Sequence, residues 1–282
     1  MFGIIGGTGL YAIEDLKIKK EHEIATPFGK PSAPVVESYY KENKIFFIPR
    51  HGNNHEFLPH EVNYRANIFA LKSLGVTNVI GVSAAGSLQE EIKPGDFSIP
   101  DQYFDFVKGN REGTFFGNGL VGHISTAEPV CNQLTQRLAE AAKSLDIFIH
   151  TKKTYACVGG PRLGTRAESF FLRGPAGCDL VGMTNVPEAF LAREAQIRYV
   201  TLTIATDYDC WLDDPTQHVS VEMVFARYGE SLDRAKKLLK VFFEKQFEIS
   251  DCSCRHALET AIISPLDTLT DENREMLAVL QK

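Results

Sequence analysis

Five short apolar runs in this chain each end in a loop of small or polar residues, and stretches with helical spacing separate several of them. Phe2–Ile5 runs into Gly6-Gly7-Thr8-Gly9, and Lys44–Ile48 closes at Pro49 before Arg50-His51-Gly52. Val76–Val82 leads to Ser83-Ala84-Ala85-Gly86-Ser87, and Thr154–Val158 to Gly159-Gly160-Pro161-Arg162. Tyr199–Ala205 ends at Thr206-Asp207-Tyr208-Asp209. Runs of this length bounded by such residues read as strands. Strands alternating with helices specify an α/β fold, here a central mixed β-sheet flanked by helices. Open α/β sheets bind ligands in loops just beyond strand ends, so these loops are the first place to look for chemistry.

Helical periodicity marks Val62–Leu74, Pro129–Leu145, Arg166–Leu172 and Val186–Ala195. The longest such stretch is Val219–Phe247, with apolar residues at three-and-four spacing, among them Val221, Val224, Tyr228, Leu232, Ala235, Leu239 and Phe242. A last helix is expected around Asn273–Leu280. No linker, repeat or low-complexity stretch divides the 282 residues, so residues 1–282 read as a single domain.

Hydrophobic residues make up 44% of the chain and the formal net charge is −6. Without a basic patch, nucleic acid and anionic membranes are not expected partners. No segment reaches the ~18 apolar residues of a membrane helix, and the apolar start lacks the basic residues of a secretory signal. A cytoplasmic protein is the expectation. The six cysteines form no Cys-x-x-Cys pair, so no metal is expected. Cys252-Ser253-Cys254 is the one close pair, open to reading as two reduced thiols or as a disulfide.

Several loops carry possible chemistry. Glycines at Gly6-Gly7-Thr8-Gly9 let backbone N–H groups approach an anion, although the turn lacks the full dinucleotide and Walker patterns. Arg50 and His51, with His55 just beyond, stand near no acid in sequence and suggest an anion site. Ser83 and Ala84 leave room for a ligand against the backbone. Met183 and Thr184 offer an apolar floor and a hydroxyl, while Glu188 reads as a helix-start residue. Asp207 and Asp209 point the same way if the strand continues. They lack the companions of a metal site, and can accept bonds from an amino group or hold a proton for a leaving group.

In order and in detail these segments resemble the trimeric nucleoside phosphorylases, and within them the methylthioadenosine phosphorylases. The resemblance rests on IIGGTGL (4–10), TPFGKPS (26–32), PRHG (49–52), VNYRANIFALK (62–72), SAAGSLQEEIKPGD (83–96), DQ (101–102), GHI and AEP (122–129), GGPRLGTRAES (159–169), GMTNVPEA (182–189) and ATDYDCW (205–211). It covers roughly residues 2–245, with a divergent tail from about residue 248.

The resemblance implies a single-domain nucleoside phosphorylase fold and a homotrimer, or a dimer of trimers, without a cofactor. Inorganic phosphate is then a co-substrate, held by Thr8, Arg50, His51, Ser83, Ala84 and Thr184. Met183 lies under the ribose, Val221 and Val224 line a 5′-methylthio slot, and His55 belongs to the substrate pocket. His123 is implied to enter that pocket from a neighbouring subunit.

Asp207 and Asp209 stand where adenine-specific members carry two acids, and are the implied catalytic residues. Members acting on 6-oxopurines have Asn there and a Glu at the position of Gly164. Leu163 replaces a Phe that usually stacks on the base, and Gly182 an Asn usual in the methylthioadenosine branch. The implied activity is phosphorolysis of 5′-methylthioadenosine to adenine and a methylthioribose 1-phosphate. The alternatives are a 6-oxopurine or methylthioinosine phosphorylase and, from another class, a non-catalytic nucleoside-binding protein.

Overall fold

The computed structural model describes residues 1–7, 10, 16–214, 219–245 and 250–282. Nine strands run in the order β1 (Phe2–Gly6), β2 (Lys17–His22), β3 (Val35–Tyr40), β4 (Asn43–Pro49), β5 (Asn78–Ser87), β6 (Phe97–Phe106), β7 (Ile149–Val158), β8 (Leu180–Gly182) and β9 (Arg198–Asp207). Interspersed are helices α1 (Tyr64–Ser73), α2 (Asn132–Lys143), α3 (Arg166–Arg173), α4 (Asn185–Glu194), α5 (Val221–Glu244) and α6 (Asp271–Leu280).

The strands form one mixed sheet in the order β2-β3-β4-β1-β5-β8-β7-β6-β9, and β9 also pairs with β5 in parallel. That last pairing closes β5, β8, β7, β6 and β9 into a ring, from which β1, β4, β3 and β2 extend as an open wing. Strand alternation divides the core. Ile5, Phe46, Ile48 and Val79 face one apolar cluster, whereas Ile4, Ile45, Phe47 and Ile80 face another. The first cluster is covered by α1, α4 and α6, the second by α2 and α5.

The expected mixed sheet with flanking helices is therefore present, with corrections at element ends. Asn63 starts α1 by accepting a bond from the Ala66 N–H, and Val186 inside α4 is non-helical. The long helix spans Val221–Glu244 rather than Val219–Phe247; residues 246–249 lie outside the described residues. Ser83-Ala84-Ala85-Gly86-Ser87 is not a loop but the second half of β5, paired with β9 as far as Gly86.

Candidate active site

A cavity of about 680 Å³ opens at the ends of β1, β4, β5 and β9 and under the start of α5. Its volume suits a small-molecule site. Among the expected residues it gathers Arg50, His51, His55, Ser83, Ala84, Leu163, Gly164, Met183, Thr184, Asp207, Asp209, Val221 and Val224. Thr8 lies outside the described residues, next to Gly7, which lines the cavity. His123 lies on another part of the surface and does not reach this chain's own cavity.

At one end of the cavity stands Arg50, 2% exposed. Its Nε and Nη2 donate to the two carboxylate oxygens of Glu188 at 2.6 and 2.8 Å. Nη1 donates to the Val82 carbonyl at 2.9 Å, and Nη2 also reaches the Ile5 carbonyl at 3.3 Å. The absence of a nearby acid in sequence is corrected by folding, since Glu188 arrives from 138 positions away. Among the described residues four of the five guanidinium N–H groups are thus engaged, leaving one on Nη1. Burial opposes the guanidinium charge, but Glu188 outweighs it and holds Arg50 protonated. Tyr199 donates to Glu188 at 2.8 Å and Thr201 to Tyr199 at 2.8 Å, which anchors the carboxylate from β9. Glu188 is accordingly a support for Arg50 rather than a helix cap.

His51 is not a second cation. Burial, and then the charge of Arg50, push its pKa down to about 4. Its Nδ1 lies 2.8 Å from the Phe57 carbonyl, which accepts only from a protonated nitrogen. The neutral ring therefore presents Nε2 as an acceptor, able to take a bond from a phosphate or sugar hydroxyl. Beside it, the buried Ser83 hydroxyl has no protein partner among the described residues, and Thr184 makes no side-chain capping bond to α4. Buried polar groups without partners are costly unless a ligand satisfies them. Tyr228, whose hydroxyl is also buried without a partner among the described residues, adds a further polar group from α5.

At the other end are the two acids. Asp207 is 2% and Asp209 6% exposed. Strand β9 ends at Asp207, and a turn with φ of 51° at Asp209 brings the second acid back toward the first. Their proximity thus comes from the turn and not from strand alternation. The Asp209 N–H donates to Asp207 Oδ1 at 2.7 Å, and the Thr206 hydroxyl to Oδ2 at 2.7 Å. Burial raises both carboxyls above the ordinary carboxylate range. Gly164 faces Asp209, because a Cβ there would sit 3.8 Å from its Oδ1. A longer acid at that position would crowd the carboxylate with like charge.

Between the two ends the floor is apolar. Met183 packs tightly against Gly160, whose φ of 61° and lack of a Cβ both suit the approach. The departure at Gly182 has a physical reason: a Cβ there would overlap the hydroxyl of the fully buried Tyr155. Phe225, Phe57, Leu58 and Pro59 join Val221 and Val224 at the open rim. Val221 and Phe225 remain 62% and 58% exposed in the single chain.

Sequence reasoning does not reach Arg111, which donates to the carbonyls of Met183 at 2.7 Å, Val186 at 2.9 Å and Gly159 at 2.8 Å. It ties together the two loops that form the floor, and no motif marks it. Phe57, Tyr228 and Phe225 are further lining residues that the motifs leave out. The i, i+3, i+4 spacing of Val221, Val224, Phe225 and Tyr228 is the available signal for the last two.

The family model of the phosphorylase superfamily matches residues 1–244. An S-methyl-5′-thioadenosine phosphorylase of Geobacter sulfurreducens is 43% identical over 99% of this chain and 97% of its own length. One from Nitrosopumilus maritimus is 46% identical over 92% of this chain and 97% of its own. Among solved structures, a methylthioadenosine phosphorylase from an antarctic soil metagenomic library superposes with a TM-score of 0.91 at 41% identity, covering 99% of this chain and 98% of that one. The Schistosoma mansoni methylthioadenosine phosphorylase in complex with adenine has a TM-score of 0.82 at 38% identity, covering 86% of this chain and 90% of that one. With the geometry and these likenesses in agreement, the chain belongs to the phosphorylase superfamily.

Proposed function

We propose that this chain splits 5′-methylthioadenosine with inorganic phosphate, giving adenine and 5-methylthioribose 1-phosphate, a pentosyl transfer of purine and methionine salvage. The observation that carries the reading is the pair of buried acids, Asp207 and Asp209, across one cavity from the Ser83 hydroxyl, which has no partner among the described residues. The acids suit the amino group and ring nitrogens of adenine. The opposite end suits an oxyanion, offered one Arg50 N–H together with the hydroxyls of Ser83 and Thr184. The curated relatives at 43% and 46% identity bear names for this activity, and a related Schistosoma mansoni structure holds methylthioadenosine.

In the reaction a phosphate oxygen bonds to the anomeric carbon as the carbon–nitrogen bond to adenine breaks. The bonding electrons leave with the purine, and positive charge develops on the sugar. The phosphate anion stabilises that charge electrostatically. Asp207, raised by burial, supplies a proton or a hydrogen bond to the departing purine, and Asp209 orients the base. His51 accepts from a hydroxyl of phosphate or ribose. Val221, Val224 and Phe225 favour a methylthio group over a hydroxyl by about 1–3 kcal/mol. The two substrates supply every atom, so no cofactor takes part in this scheme.

A cytoplasmic homotrimer completes the reading, with His123 of each subunit closing the open rim of a neighbour's site. Its support is the exposure of the rim residues Val221 and Phe225, which a second chain would cover.

Adenine release from methylthioadenosine, followed with and without phosphate, tests the assignment. Release should depend on phosphate and should exceed purine release from inosine and methylthioinosine by at least about tenfold. Equal release without phosphate would make the chain a hydrolase. A preference for the 6-oxo substrates would move it to the other branch.

A further inference from the structure

Three of the six cysteines converge far from the active site. The Sγ atoms of Cys131, Cys252 and Cys254 all lie within 4.8 Å of one another. Cys131 and Cys254 are 2% and 6% exposed, while Cys252 is half-buried and opens toward solvent. None of the three is in a disulfide. Sequence spacing gives no hint of this trio, because Cys131 lies far upstream of the other two.

The surroundings favour negative sulfur. Cys131 is the N-cap residue of α2, where the positive end of the helix and its free N–H groups lie. Arg198 Nε donates to Cys252 Sγ at 3.2 Å. Both features stabilise a thiolate, and neither gains anything from a neutral disulfide. Thiolate is the metal-ligating form of cysteine, and soft sulfur sets select d10 ions such as zinc(II). Three sulfurs around zinc at about 2.3 Å would stand about 3.8 Å apart, a separation within the span observed.

We infer that Cys131, Cys252 and Cys254 form a zinc(II)-class site that staples the C-terminal tail to the start of α2. The ion takes three thiolates and one solvent ligand on the open side at Cys252. Binding releases up to three protons from the thiols. The resulting complex carries one negative charge, which Arg198 offsets. The tail already docks here, since Arg255 donates to the Gln196 carbonyl at 2.6 Å and the Leu258 N–H to Gln196 Oε1 at 3.2 Å. The ion would lock that docking. The site also lies at the far end of β9 from the acids. The Cys131 N–H bonds to the Tyr199 carbonyl, and about eight residues of strand separate Tyr199 from Asp207, roughly 26 Å. Catalysis therefore does not need the ion.

Reduced, metal-free full-length protein is titrated with zinc chloride against a chromophoric chelator, and with cobalt(II) as a spectroscopic probe. The expected result is one ion per chain, a sulfur-to-cobalt charge-transfer band, and a higher Tm with zinc than without. Cys131→Ser and Cys254→Ser should each weaken zinc binding by at least about tenfold. Serine is a favoured N-cap residue, so the first variant keeps α2. Cys178→Ser, at a buried thiol elsewhere, should bind like the parent. If the reduced protein takes up no stoichiometric zinc, or Cys131→Ser binds it equally well, the site does not exist. A Cys252–Cys254 disulfide formed by dissolved oxygen, with no zinc uptake once it is reduced, equally overturns the site.

Discussion

Asp207 illustrates how a single residue is placed at a cost in stability that its proposed role would explain. A carboxylate at 2% exposure loses most of its hydration, and two hydrogen-bond donors, Thr206 and the Asp209 N–H, return only part of it. Its folded pKa is consequently raised, with burial the largest cause. Asp207→Asn removes the ionisable group while retaining an acceptor of the same shape. Turnover on methylthioadenosine should fall by at least about tenfold. The stability effect has a definite sign. For an acid with a raised folded pKa, the penalty for ionisation is full above that folded value. It vanishes as pH falls below the unfolded pKa of about 3.9. The variant should therefore gain most in Tm over the parent near neutral pH, and the gain should shrink toward pH ~4. Thermal melts across that interval check it; a Tm difference that stays constant with pH would mean Asp207 is not the penalised group.

Among the secondary-structure elements, the end of the cavity proposed for phosphate depends on a tie between the end of strand β4 and helix α4. Glu188 and Arg50 are 1% and 2% exposed, and each would be a bare buried charge without the other. Breaking such a pair from one side costs about 3–5 kcal/mol. Glu188→Ala should lose about that much in urea denaturation and should raise the KM for phosphate, because Arg50 is freed to turn. Full stability in this variant would show that water replaces the carboxylate. Sequence patterning cannot reveal this tie, since its two halves are 138 residues apart and nothing local marks the pairing. Patterning does locate β1, β4, β5, β7 and β9, whose apolar runs are buried by the sheet. It passes over β2, whose residues Lys17–Glu21 are all exposed on an edge, and β8, which is three residues long. It passes over β3 and β6 as well, the latter where Pro100 interrupts the pairing register. The loops at Arg50-His51, Leu163-Gly164 and Asp209 are legible because each follows a legible strand, whereas Ser83 and Ala84 lie within β5 itself and Met183-Thr184 follows the unread β8. Arg111 and the neutral state of His51 are not, because both follow from neighbours that only folding supplies.

At the scale of the whole molecule, the open rim of the cavity and the C-terminal tail bear on the same question. His123 sits in a segment that the tail holds in place. Its N–H donates to the Ala261 carbonyl at 2.9 Å, the Ile263 N–H to the Val121 carbonyl at 2.9 Å, and the Val121 N–H to Ser264 Oγ at 2.7 Å. Val121 and Ile263, on either side of this contact, are 47% and 63% exposed. The proposed trimer would cover these two apolar side chains. It would repeat one heterologous contact three times around a cyclic axis, so that each His123 could meet the rim of the next subunit around Val221 and Phe225. His123→Ala should then raise the KM for methylthioadenosine several-fold and leave a trimer in light scattering, since the backbone bonds of the segment do not involve the imidazole. Val121→Asp, which places a charge in the apolar contact, should lower both the trimer fraction and the activity in step. A fully active monomer would break the link between assembly and site. An intact trimer in which His123→Ala leaves the KM unchanged would keep the assembly but remove His123 from it.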